Sequence, residues 1–138
     1  MRVVYVDTGA LIGLIWQRDQ HHERVVATYR RLQTSRDALL TTNLVIAETV
    51  TRLRYDAGLA VALRFREALG DIVASGRLVI RYVDSDLSER AWETMAQYAD
   101  RTLSFADCAG AVAAREAKAD AVFGLDSDFL ALGFALEP

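Results

Sequence analysis

The chain has 138 residues, 52% of them hydrophobic, with a single cysteine and a single proline. That is one domain's worth of chain with enough apolar material for a proper core, no internal disulfide, and no apolar stretch near the roughly 18 to 20 residues that span a bilayer. The N-terminus reads as a strand rather than a charged segment leading into a signal core, so the expectation is one domain over residues 1–138, soluble, cytoplasmic and without a membrane partner.

In chain order, Arg2 to Val6 is an apolar strand that runs straight into Asp7. Thr8 to Trp16 reads as a short helix opening at the strand end, and the polar break Gln17 to His22 precedes a helix through about Leu32. Leu39 to Thr42 is strand-like. Asn43 suits a helix cap for a segment running through Tyr55 and ending at Gly58. A further helix covers Leu59 to about Ala74. Leu78 to Val83 alternates apolar and polar as a strand does, and Ser85 or Asp86 caps a helix through Tyr98. Ser104 caps the next helix, which leads into a second apolar strand, Ala121 to Leu125, ending at Asp126. Strands alternating with helical segments predict an α/β fold, with a central parallel sheet flanked by helices on both faces.

Near-continuous apolar strands of this kind are buried on both faces of a parallel sheet. In such sheets the functional crevice lies beyond the carboxyl ends of the strands, where Asp7 and Asp126 stand. Glu48 and Asp107, each an acid in an otherwise apolar helical segment, complete a set of four carboxylates. Each has a structural alternative. Asp7 can cap the helix that follows it. Asp107 lies three residues after Ser104, the spacing of a capping box, and Asp126 or Asp128 can cap a last short helix. Glu48 lies too far past Asn43 for a capping box, and its helical neighbours Leu44, Val45, Thr49 and Leu53 are largely apolar, so burial there requires a partner. Four converging carboxylates without lysine or histidine partners are most simply explained by divalent cations.

The net charge of −3 speaks against a nucleic-acid partner at face value, yet removing the four suspected site acids from −3 leaves +1. The basic residues are almost all arginine, with Lys118 the only lysine. Arginine's planar fork suits phosphate. Arg52, Arg54, Arg64, Arg66 and Arg101 are candidates for a phosphate-binding rim or simply solvated helix faces. His21 and His22 are adjacent and diverge by about 100° on a helix, which reads as a solvent-facing pair. Cys108 reads as a small core residue.

Four segments in this order resemble the PIN-domain ribonuclease family, specifically the VapC-type toxins of bacterial toxin–antitoxin pairs. They are Val6 to Leu11, Thr42 to Glu48, Leu103 to Cys108 and Phe123 to Phe129. The resemblance spans nearly the whole chain. It implies a PIN-like domain over 1–138, Mg²⁺- or Mn²⁺-dependent hydrolysis of RNA, and metal-site acids at Asp7, Glu48, Asp107 and Asp126 with Thr8 in support. It also implies a cognate antitoxin and a homodimer, for which helices rich in Ala, Leu and Val such as Ala57 to Leu69 offer surface. The sequence departs from the family pattern at Gly9, where many members carry serine or asparagine, and at Leu125, where many carry threonine or serine. Asp128 is the alternative fourth acid; Asp126 is favoured because it directly follows the strand. A receiver domain would need a lysine near the acids, and an aspartyl phosphatase would need an acid at position 9, which is Gly9. The remaining rival is a non-catalytic member of the same fold that binds RNA or protein.

Overall fold

Val3–Val6 forms β1, whose side chains are almost wholly buried because helices cover both faces of the strand. The computed structural model describes residues 1–138. The chain then runs through α1 (Thr8–Ile15), α2 (His22–Thr34), β2 (Ala38–Thr42), α3 (Asn43–Asp56), α4 (Leu59–Ala74) and β3 (Leu78–Arg81). It continues through α5 (Ser85–Gln97), α6 (Phe105–Glu116), β4 (Ala121–Phe123), α7 (Asp128–Ala131) and β5 (Leu136–Glu137).

The five strands form one sheet in the order β3-β2-β1-β4-β5, and every pairing is parallel, with Tyr5 opposite Leu40 on one side and Val122 on the other. The chain thus starts at the centre, winds outward to β3, then crosses back to the far side of β1. Right-handed crossovers put α1 to α4 on one face and α5 and α6 on the other. The reversal between β1 and β4 is a topological switch point, where parallel sheets open a crevice beyond their carboxyl ends. Asp7 and Asp126 flank it.

The core is continuous across both faces. α6 is almost entirely buried from Cys108 to Ala114, which its small residues permit by letting the helix lie close on β1 and β2. On the opposite face Val6, Leu39 and Phe65 border an apolar cavity of about 400 Å³ between α1, α2 and α4.

Several element ends differ from the sequence reading, each for a local reason. Thr42, not Asn43, caps α3, accepting a hydrogen bond from the Val45 amide at 3.3 Å. β2 passes into α3 without a loop, so the last strand residue occupies the cap. Asn43 instead accepts from the Val83 amide at 2.7 Å and ties α3 to the segment after β3. Asp84, rather than Ser85 or Asp86, caps α5 through the Leu87 amide at 2.9 Å. That bond, aided by Arg81, holds its carboxyl below the usual range. Gly58 does close α3, at φ +99°, a left-handed conformation that favours glycine. β4 ends at Phe123 rather than Leu125. Leu136–Glu137 pairs with β4 as a fifth strand that the sequence reading lacks. No helix is long and apolar enough to cross a membrane.

Candidate active site

β1 delivers Asp7 to the crevice with its amide still bonded to the Phe123 carbonyl at 2.9 Å, one residue past the strand. The side chain caps nothing in α1, so the capping role open to it in the sequence is not taken. Glycine at 124 is what allows its position: a Cβ there would stand 2.9 Å from the Asp7 Cβ. α6 delivers Asp107 from its first turn. Its capping box with Ser104 is complete, with the Asp107 amide donating to Ser104 Oγ at 3.0 Å and the Ser104 amide to Asp107 Oδ2 at 3.3 Å. The same carboxylate also belongs to the acid group in the crevice, so both roles coexist. The bend after β4 delivers Asp126, whose Oδ1 accepts from the Asp128 amide at 2.9 Å.

One oxygen from each of Asp7, Asp107 and Asp126 lies within 4.8 Å of the others. Asp128 stays outside this group, paired with Arg101 at 3.5 Å. Glu48 reaches the same crevice from α3, where its Oε2 accepts from the Thr8 hydroxyl. It is exposed on its helix rather than buried among Leu44 and Leu53, because the apolar side of α3 turns on Val45, Thr49 and Leu53. It lines the crevice with the other acids but stays outside their 4.8 Å group.

The electrostatics follow from crowding. Asp7 is 7% exposed. Burial, reinforced by Asp107, Asp126 and Glu48 and only partly offset by the Thr8 amide, raises its pKa from 3.8 to about 7. Burial and then Asp126 also raise Asp107. Desolvation and like charge both penalise the ionised carboxylate, and no arginine, lysine or histidine forms an ion pair with any of the four acids. The donor set consists entirely of oxygen, the chemistry of Mg²⁺ and Mn²⁺ rather than of thiolate- or imidazole-seeking metals. Cys108 is buried in the core, and burial, then the charge of Asp107, pushes its thiol up rather than activating it. The residues fit a hard divalent cation.

The crevice, about 410 Å³, is also bordered by Asp19, Gln20, His21 and Arg52. Of the arginines weighed for a phosphate rim, Arg52 alone lies here, one turn beyond Glu48. Both histidines are half-exposed: His21 edges the crevice, and His22 is not free but tied through Nδ1 to the Gly13 carbonyl at 2.6 Å. Asp19 and His21 were legible only as a polar break, and the one local signal was that this break follows a helix opening at Asp7. The two departures from the family pattern prove to be neighbours, since a Cβ on Gly9 would stand 3.3 Å from Leu125 Cδ1. The leucine fills the room that glycine leaves.

Comparison with known proteins gives the same picture. The PIN domain family model matches residues 4–135. The 23S rRNA-specific endonuclease VapC20 of Mycobacterium tuberculosis is 30% identical over 133 residues, covering 96% of this chain and 95% of the relative. A VapC ribonuclease of Archaeoglobus fulgidus is 30% identical over 115 residues, 82% of this chain and 70% of the relative. The crystal structure of the M. tuberculosis VapC20, a sarcin–ricin loop cleaving toxin, superposes with a TM-score of 0.81 at 28% identity and covers 96% of both chains. VapBC2 from Rickettsia felis, bound to a DNA fragment from its promoter, shares the fold at a TM-score of 0.68 and 16% identity, with 98% of this chain and 97% of that one covered. With its parallel sheet, its switch-point acids and a family match over nearly all its length, the chain belongs to the PIN-domain family, and within it is similar to the VapC-type proteins.

Proposed function

We propose that the chain is a Mg²⁺- or Mn²⁺-dependent ribonuclease and the toxin of a VapBC-type pair. The observation that carries this reading is the meeting of Asp7, Asp107 and Asp126, from three separate elements, within 4.8 Å and with no basic side chain ion-paired to them. These three carboxylates would hold the ion, and Glu48 would complete the site from the facing wall. Bound there, a hard divalent ion lowers the pKa of a ligand water and neutralises charge on a phosphodiester. The protein's part is positional. Thr8 fixes the Glu48 carboxylate by donating to it, leaving the other Glu48 oxygen to orient the attacking water in line with the leaving oxygen. The Asp107 capping box keeps that carboxylate from swinging away. Arg52, free of ion pairs, would meet a phosphate of the RNA at the rim.

The relative's action on 23S rRNA makes a structured ribosomal stem-loop the first substrate class to offer, and a cytoplasmic site of action goes with it. A basic segment of an antitoxin would be drawn to the same acidic crevice. Val50, Tyr55, Leu59 and Leu63, large side chains exposed on α3 and α4, would serve a homodimer or antitoxin contact.

The test is cleavage of end-labelled RNAs, a sarcin–ricin loop stem among them, by purified protein with Mg²⁺, Mn²⁺ or EDTA. Cleavage that EDTA abolishes and Asp7→Asn removes is expected. A folded protein that binds Mn²⁺ yet cleaves no RNA would favour the binding-only member of the fold.

A further inference from the structure

Beneath the carboxylates lies a polar group without a partner. Tyr5 precedes Asp7 by two residues, so both side chains leave the same face of β1, toward α6. The Tyr5 ring is fully buried, 5.9 Å from the Phe129 ring, and its hydroxyl ends against Gly110. A Cβ at position 110 would stand 2.3 Å from that oxygen, so α6 makes room for the hydroxyl only by carrying glycine one turn beyond Asp107.

The hydroxyl has no hydrogen-bond partner. Thr42 stands near enough to favour the phenolate, but no hydrogen bond joins the two hydroxyls. Burial first, and then the charges of Asp7, Asp107 and Glu48, hold the phenol protonated. A buried donor without an acceptor is rare in folded proteins, and phenylalanine would fill the same apolar slot without the orphaned group. The hydroxyl thus serves something other than packing, and the only charged groups that bear on it are the site acids.

Resting on the metal-dependent reading above, we propose that Tyr5 is a positioning residue of the acid cluster. Its hydroxyl donates to the carboxylate of Asp7 or Asp107 in the cation-loaded protein and holds that carboxylate in its binding orientation. Residues that orient ligands from behind in this way typically account for 10- to 100-fold in metal affinity.

The test compares wild type with Tyr5→Phe, an isosteric change, in three measurements on the purified chain. These are thermal melting in EDTA, Mn²⁺ affinity by loss of the free-ion EPR signal, and NMR of protein labelled with ¹³Cζ-tyrosine during Mg²⁺ addition. The Tyr5 resonance is identified as the one the variant lacks. The variant is expected to melt no lower than wild type in EDTA, because an unpaired buried donor is gone, and to bind Mn²⁺ about 10-fold more weakly. In wild type the Tyr5 resonance shifts as Mg²⁺ is added. Mn²⁺ affinity within twofold of wild type, or a Tyr5 resonance unmoved by Mg²⁺, overturns the proposal and leaves the metal reading standing. A wild-type protein that binds no Mn²⁺ overturns both.

Discussion

At the amino end of β1, Arg2 reaches Glu137 at 2.8 Å and Asp37 at 4.0 Å, and Asp120 accepts the Val3 amide at 2.9 Å. At the carboxyl end of the same strand, Asp7 meets Asp107 and Asp126, and no basic side chain is paired with any of them. The flank made by α5 and α6 treats its acids as the amino end does, with Glu116 held between Arg81 and Arg90. A chain with 16 basic residues had the means to neutralise its crevice in the same way. Acids that stabilise the fold are given partners, whereas the crowded ones cost stability until something positively charged arrives from outside. The difference marks the crevice as the candidate site without reference to any relative.

The largest effect expected from this contrast is at Asp7. Asp7→Asn removes one of the three oxygens proposed to hold the cation, and RNA cleavage should fall by at least about 100-fold, read from single-turnover rates with the labelled substrate. The same change should stabilise the metal-free protein at pH 8 by an amount on the order of 1 to 3 kcal/mol, read as a higher melting temperature, because a buried charge disappears. Asp120→Ala, at the paired end, should do the opposite, costing about 1 kcal/mol of stability with cleavage intact. Loss of stability in Asp7→Asn would break the contrast.

Proton linkage sharpens it. The Asp7 pKa rises from 3.8 to about 7 on folding, through burial first and then its neighbouring acids. The folded state therefore keeps this proton at pH values where the unfolded chain has released it. Stability from this group is full below the unfolded value and is lost as pH rises through the folded one. Melts in EDTA should fall in temperature from about pH 4 to about pH 8, with Asp107 acting in the same direction. Saturating Mg²⁺ should flatten or reverse that slope, since the ion takes the place of the proton. A slope unchanged by Asp7→Asn would place the titration elsewhere.

A smaller effect is expected at the rim. Arg52 borders the crevice from α3 and holds no acid. Arg52→Ala should raise KM several-fold with little change in kcat, and should lower the salt dependence of RNA binding by about one phosphate contact. Arg64→Ala, on an exposed position of α4 outside the crevice, is the matched control.

What could be read from the sequence divides along the same line. β1 and β4 were legible because burial on both faces leaves an unbroken apolar run, and their terminal aspartates followed from the geometry of parallel sheets. The capping box of α6 was legible from spacing alone. β5 was not, because a two-residue edge strand has no period to detect. Asn43 was mistaken for a cap because residue type says nothing about whether a loop intervenes before the helix. The apolar neighbours of Glu48 made a partner necessary if it were buried, but the helix phase turns it outward. Tyr5 passed as one apolar residue among several, since an orphaned hydroxyl exists only in three dimensions.

Gly9 and Leu125 show the same limit at the scale of one contact, and they carry the smallest prediction. In the sequence they are two unrelated departures from the family pattern, yet they face each other on the wall of the acid cluster. Gly9→Ser presses a Cβ to 3.3 Å from Leu125 Cδ1, a tight approach that a leucine tip can relieve, so the cost should be below about 1 kcal/mol. Leu125→Thr alone removes the filler and leaves a gap of similar cost. Combined, serine and threonine should fit where serine and leucine do not. The double variant should then be more stable than the sum of the single ones by about 0.5 kcal/mol or more, measured by denaturant unfolding in EDTA. Replacing the leucine also brings a hydroxyl to the wall beside Asp126, which relieves part of the desolvation on Asp7. The pH slope of the metal-free melts should become shallower in the double variant. Additive stabilities would show the two departures to be independent, and an unchanged slope would show that the crowding of Asp7 owes nothing to this apolar pair.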